Sequence, residues 1–336
     1  MRKLILLFYI ISMNVFPQVG GENIYNFLNL TGSAKQAALG GNIITLLNDV
    51  NQPLWNPATI NPNLDNTLGV NYLNFLGDIN YASASYAYLF NEHIGTFHAG
   101  VQYLNYGTFI GADDEGNETG EFKAYDFAFS IGYSYNFFRS DFYLGGNVKL
   151  INSVIENYSS FGLGVDISLL YYNEHEPFMA TLVIRNLGYQ ITAYDEIRED
   201  LPFQIAFGFS YRLEEVPIKW HATIDNLQKW NLAVSNPSNS ETDFDGNEVE
   251  EKITFFDNAF RHLTFGVEFF PESAFNIRLG YNFRRASELK LPELRTFAGF
   301  TAGFGINFRK FSVNYAFTKY HPASNSSTFS LLINLD

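Results

Sequence analysis

In a chain without cysteine, the residues able to do chemistry are its six histidines and its clustered carboxylates. His98, His221 and His262 fall on the polar face of alternating segments, where a ring can reach a metal or a nucleophile. A metal or acyl-transfer centre needs two or three such groups to converge. His98 and His221 begin segments that follow short links, whereas His262 begins one that follows a long link. They are therefore expected at opposite ends of whatever the segments form, as ordinary hydrogen-bonded residues. No serine and histidine pair shares one outward face, so a lipid-hydrolysing site is not readable. The acids gather in two stretches, Asp113, Asp114, Glu115, Glu118 and Glu121, then Glu241, Asp243, Asp245, Glu248, Glu250 and Glu251. In DFDGNEVEE the glycine comes two positions too early for a calcium loop of the EF-hand kind. Solvated charge is the expectation, with no catalytic residue, no metal and no cofactor.

The elements carrying these residues alternate with period two. In FGLGVDISLLY, Phe161, Leu163, Val165, Ile167, Leu169 and Tyr171 form one face, and Ser160, Gly162, Gly164, Asp166 and Ser168 the other. Similar outward sets run from Lys123 to Tyr135, Phe203 to Tyr211, Leu263 to Phe269, Phe275 to Phe283, Ala298 to Phe308, Phe311 to Phe317, and Phe329 to Leu335. Less regular stretches at 66–75, 78–90, 95–106, 141–152, 178–188 and 218–227 bring the total to fourteen. Stretches of roughly 9 to 15 residues suit tilted strands that cross a membrane, and an even number suits a closed antiparallel barrel. Composition agrees: 34 Phe and 21 Tyr but only 3 Trp stand among 336 residues, and rings are what lipid-facing strands and interfacial girdles require. The predicted fold is all-β, a transmembrane antiparallel β-barrel of about 14 strands. Gly208 faces its interior and is expected to tolerate a small replacement such as serine.

Link lengths alternate as well. Short links fall near 91–94, 139–140, 173–177, 213–217, 271–274 and 309–310, and longer ones near 107–121, 153–159, 189–201, 228–259, 286–295 and 320–327. Outer-membrane barrels have short periplasmic turns and long outside loops, which places both ends of the barrel sequence in the periplasm. Asp126, Asp166, Asp225 and Glu268 against Lys149, Arg185, Arg212, Lys219, Arg278 and Arg284 are the expected lumen charges. Arg2 and Lys3 followed by an apolar run to Phe16 read as a signal peptide over 1–20, cut between Pro17 and Gly21. The formal charge of −14 becomes more negative once those two cations are removed, which disfavours nucleic acid. Outer-membrane lipid is the expected surrounding, reached by export.

Residues 21–65 do not alternate. SAKQAALGG predicts a short helix with Ser33 as N-cap and Gly40 or Gly41 as its stop. The prolines of QPLWNPATI forbid a regular element. The segment is long enough to plug the barrel mouth, or it could lie in the periplasm; the barrel proper is 66–336. Its order of motifs, Leu39-Gly40-Gly41, then Asp49, then Asn56-Pro57-Ala58, resembles the N-terminal segment of the FadL-like barrel superfamily. Further strings, namely YLNYGTF, GEFKAYDFA, GGNVKLINSVIENYSS, IRNLG, LPFQIAFGFSYRL and DNLQKWNL, resemble the PorQ family of type IX secretion outer-membrane proteins. That resemblance implies a non-enzymatic anchor for a PorZ-like surface protein, working beside PorU and PorV. The partner surface is then expected on the long loop, at Trp230, Phe244, Phe255 and Phe256. The alternative is a FadL-like channel for hydrophobic solutes, although few inward positions are large and apolar.

Overall fold

The computed structural model describes residues 23–137, 140–233, 241–242, 248–249, 253–289, 297–321 and 324–336. The expected signal peptide and Phe244 lie outside the described residues. Barrel strands are β1 (Thr67–Leu76), β2 (Ile79–Asn91), β3 (Gly95–Ala112), β4 (Glu118–Asn136), β5 (Phe142–Ile155), β6 (Tyr158–Tyr172), β7 (Phe178–Thr192), β8 (Gln204–Arg212) and β9 (Ile218–Ile224). After a small hairpin of β10 (Glu241–Thr242) and β11 (Glu248–Val249) follow β12 (Leu263–Phe269), β13 (Phe275–Asn282), β14 (Phe300–Asn307), β15 (Phe311–His321) and β16 (Ser324–Asn334). Each barrel strand pairs antiparallel with its neighbour in sequence. β9 pairs with β12 across the hairpin, and β1 pairs with β16, which closes a 14-stranded barrel. Closure removes every free edge, as lipid demands, because an unpaired backbone group there has no water to bond.

Alternation sorts the side chains as the period predicts. Val148, Leu150, Ile131, Ile167, Leu169 and Phe329 stand exposed on the outside, while Ser130, Lys149, Asp166 and Ser168 are buried within. We call the end that carries the short turns and both barrel termini the turn end, and the opposite one the loop end.

Several boundaries differ from the sequence reading. Most of 107–121 is strand, not loop: β3 and β4 run on as a hairpin held by cross-strand pairs such as Phe109 and Phe122, whose rings stack 5.3 Å apart. The link at 153–159 is likewise a tight turn between β5 and β6. Phe203 precedes its strand, Ala298 lies buried before β14, and β9 stops at Ile224 rather than 227. Phe283 leaves the β13 alternation to start a helix.

Three short helices matter for position: α1 (Ala34–Ala38), α2 (Phe255–Arg261) and α3 (Phe283–Glu288). α2 opens with a capping box in which the Thr254 hydroxyl accepts from the Asp257 nitrogen and the Asp257 carboxylate accepts from Thr254. The Asn282 side chain accepts from the Arg285 nitrogen and starts α3. Both helices sit at the loop end on the low side of the wall, where β9 and β12 have 7 residues each against 18 in β3. At roughly 2.5 Å of height per tilted residue, seven residues reach about 18 Å, short of the ~25 Å apolar band of such barrels. The helices pack on each other and on β13: Phe260 stacks on Phe283 at 5.2 Å, and Phe283 meets the outward Tyr281 at 4.8 Å.

Candidate functional site: the filled lumen and its aromatic rim

The segment 23–65 runs through the barrel from the loop end to the turn end. It begins with the Ile24 nitrogen donating to the Asp200 carbonyl, beside the loop-end link after β7. It finishes at Leu64 and Asp65, which lead into β1. Between these points most side chains are buried. Latches from strands around the wall hold its backbone: Arg185 donates to Leu28 O at 2.8 Å, Ser330 Oγ accepts from Ala34 N at 2.7 Å, and Thr301 donates to Ala38 O at 2.8 Å. Lower down, His98 Nε2 lies 3.0 Å from Val50 O, Asn147 donates to Pro53 O at 2.6 Å, and Ser168 Oγ accepts from Ala58 N at 2.7 Å.

The motif residues picked out from sequence have distinct jobs in this packing. Ser33 stands at the N-cap of α1, but its hydroxyl donates to Asp49 Oδ2 at 2.8 Å instead of capping the helix. Asp49 also accepts from the nitrogen and side chain of Asn51, so one buried carboxylate ties the start of α1 to the turn at 49–51. Gly40 and Gly41, at φ 103° and 93°, turn the chain after Leu39 in the left-handed region that favours glycine. Asn56 caps the Pro57–Thr59 turn by accepting from Ala58 N, while its amide donates to Ile44 O and Thr181 Oγ1.

Sequence reasoning missed the matching surface on the wall. A Cβ at Gly145 would overlap the Ala58 nitrogen and the Pro57 carbonyl carbon, and one at Gly280 would overlap Gly40 and Leu39. Gly266 likewise meets Leu39 at 2.9 Å. These inward glycines let plug backbone lie directly on strand backbone. Gly208 also faces the plug, but meets a side chain: a Cβ there would stand 2.5 Å from Ile44 Cγ1, so a serine would require Ile44 to shift. Alternation revealed which way Gly208 faces but not that the lumen opposite it is occupied.

Of the expected lumen charges, Lys149 and Asp166 form an ion pair of 2.7 Å with both side chains fully buried, and Lys149 also donates to Asn186 at 2.9 Å. Arg185 lies over the Trp55 ring at 3.7 Å. Arg278 faces Glu268 at 3.4 Å, and Arg284 approaches Asp225 at 4.0 Å. Asp126 accepts from Ser153 and Tyr106. Arg212 departs from the set. It sits exposed at the turn-end rim, paired with Glu272 at 2.7 Å, because the strand ends there and its head reaches water.

The histidines do not converge. His221 contacts Thr45 at 2.7 Å in the lumen, and both ring nitrogens of His262 face carbonyl oxygens at the loop end, Asp225 O at 2.6 Å and Trp230 O at 3.0 Å. Among the described residues no group of three or more His, Asp or Glu side chains is placed to hold a metal. In the first acidic stretch, Asp113 accepts from Glu115 N, Asn117 N and the Asn117 amide. Those donors hold its carboxyl below the usual carboxylate range, the Asn117 amide most of all.

The loop-end rim gathers three of the four expected partner residues. Trp230 stacks on His262 at 5.2 Å and packs at a tilt on Phe255 at 5.1 Å, and Phe255 meets Phe256 edge-on at 5.7 Å. They are 49, 65 and 69% exposed respectively. Asn258, which no sequence signal marks, fixes them: its amide donates to Trp230 O and its oxygen accepts from Leu232 N and Ala233 N. A cleft of ≈ 420 Å³ opens between Trp230, Ala233, Ile253 and Phe255.

No family model matches the chain, and no curated protein matches it. Solved structures do. A monoaromatic hydrocarbon channel, TodX, in a deletion mutant, superposes with a TM-score of 0.56 at 14% identity over 92% of this chain and 100% of its own. A Pseudomonas aeruginosa FadL homologue gives 0.51 at 12% identity over 91% of this chain and 99% of its own. The molecule thus has a closed 14-stranded antiparallel barrel of FadL-like fold. At such identities the likeness defines the fold alone.

Proposed function

We propose that the protein is a closed outer-membrane anchor whose loop end faces outward and holds a surface protein, as the resemblance to the PorQ family implies. PorZ-like protein is the expected partner, with PorU and PorV as neighbours in the same attachment assembly. The observation that carries this reading is the contrast between the latched lumen and the exposed loop-end rim. The lumen is filled and latched from many strands, whereas the rim offers a fixed, exposed aromatic cluster at Trp230, Phe255 and Phe256. Exposed rings backed by rigid structure are what protein partners use as anchors. Tethering in the membrane plane raises a partner's effective concentration without chemistry.

A second reading has its own support, and the names of the solved neighbours speak for it more directly than for an anchor. It is a FadL-like channel for hydrophobic solutes. Beneath the loop end, Ile24, Phe27 and Leu28 of the plug pack with Leu73, Leu104, Ile151 and Leu201 in an apolar cluster. If the plug tip withdrew, that space would suit an apolar guest.

One deletion strain scores both. The anchor reading expects the surface partner to leave the cell surface for the medium while uptake of an aromatic hydrocarbon is unchanged. Retained surface proteins with reduced hydrocarbon uptake would reject the anchor in favour of the channel.

A further inference from the structure

At the turn end the plug leaves part of the opening unfilled. Below Leu46 and Leu47 an open cavity of ≈ 650 Å³ enters the lumen, bounded by Lys35 of the plug and by Ser210, Lys219 and Glu268 of the wall. Glu174 and Glu176 stand on the turn at its mouth. α1 explains how Lys35 comes to be there: Ala34, Ala37 and Ala38 pack on Ala316 of β15, which turns the intervening lysine toward the opening.

The charges on the floor do not balance. Glu268 is engaged by Arg278 at 3.4 Å. Lys35 and Lys219 also act electrostatically on Glu268, so three cations share one carboxylate, and among the described residues neither lysine has an ion pair or hydrogen bond of its own. The Ser210 hydroxyl is fully buried, lines the same space and lacks a partner. Elsewhere in this lumen a buried cation is matched, as Lys149 is by Asp166. Two half-buried ammonium groups and an idle hydroxyl around one space suit an oxyanion, which would be held by charge-assisted hydrogen bonds. The mouth carboxylates face bulk solvent, where salt screens them more than it screens the floor. Leu46, Leu47 and Met179 supply an apolar side to the same cavity, and its size falls in the range of small-molecule sites.

We propose that this cavity is a binding site for a small organic oxyanion, a phosphate ester or carboxylate, with its charged end between Lys35 and Lys219 and its body against Leu46, Leu47 and Met179. The site is independent of the partner surface at the opposite end, so it stands or falls apart from the anchor reading.

The test is calorimetric titration of the refolded full chain in detergent at about 0.15 M salt, where the mouth carboxylates are screened, with phenyl phosphate and with inorganic phosphate. One phenyl phosphate per chain is expected, bound at least about threefold more tightly than inorganic phosphate because of the apolar side. Lys35→Met and Lys219→Met should each weaken it about tenfold or more, whereas Lys310→Met, an exposed control, should not. If a lysine variant fails to fold, Ser210→Asp supplies the charge from within, and it should abolish binding in a barrel that keeps its heat-dependent gel mobility. Absence of saturable binding, binding that ignores the lysines, or binding retained in Ser210→Asp overturns the site. Equal affinity for the two probes overturns the organic-anion assignment.

Discussion

Gly145 has no side chain because the Asn56-Pro57-Ala58 turn lies on its backbone. Gly145→Ala should therefore force the plug away from β5 and cost about 1–3 kcal/mol, the usual price of overpacking. Its neighbour Gly146 points outward, where the nearest atom to an added Cβ is Asp166 O at 3.8 Å. Gly146→Ala should shift a urea unfolding midpoint little. Equal effects in the two variants would mean that the plug does not touch the wall there. The Lys149 and Asp166 pair is held by mutual charge where both side chains are fully buried in the lumen. Asp166→Asn leaves a buried ammonium without its counter-charge and should cost about 3–5 kcal/mol, and replacing both partners with apolar residues should cost much less. Additive losses in a double-mutant cycle would show that the two do not act as a pair.

Strands were the legible elements. From Phe161 to Tyr171 the period alone assigned every side chain to lipid or lumen, because the two solvents on either side of a barrel wall differ so sharply. The helices α2 and α3 were not legible, since a short helix bearing Phe255, Phe256 and Phe260 has neither the length nor the polar face that marks an amphipathic helix. Their place follows from the low wall, which a single strand's sequence does not reveal. The plug motif was readable as residues, but its complement was not: Gly145, Gly266 and Gly280 look like any lumenal glycines until the chain opposite them is known. If α2 and α3 complete the lipid-facing wall, Phe260→Arg should destabilise the inserted barrel, by up to about the 2–4 kcal/mol expected for Phe207→Arg on β8 and less if it sits near the interface. A refolding titration into bilayers checks this. No loss at Phe260 alongside the full loss at Phe207 would place the helices above the membrane.

Taken as a whole, the molecule spends its interior on holding its own N-terminal segment and leaves a rigid aromatic cluster exposed at one end. The orientation behind the anchor reading predicts that a tag at Asn117 is accessible on intact cells and one at Glu215 is not; the reverse would invert the barrel. If the molecule is an anchor, its rim meets a protein. A photoreactive phenylalanine analogue in place of Phe255, illuminated in living cells, reads that contact directly. The anchor account predicts a discrete protein adduct of defined mass, lost when the photoreactive group is moved to Phe207 on the lipid face. Adducts with lipid alone from position 255, in cells where the barrel is inserted and intact, would contradict it.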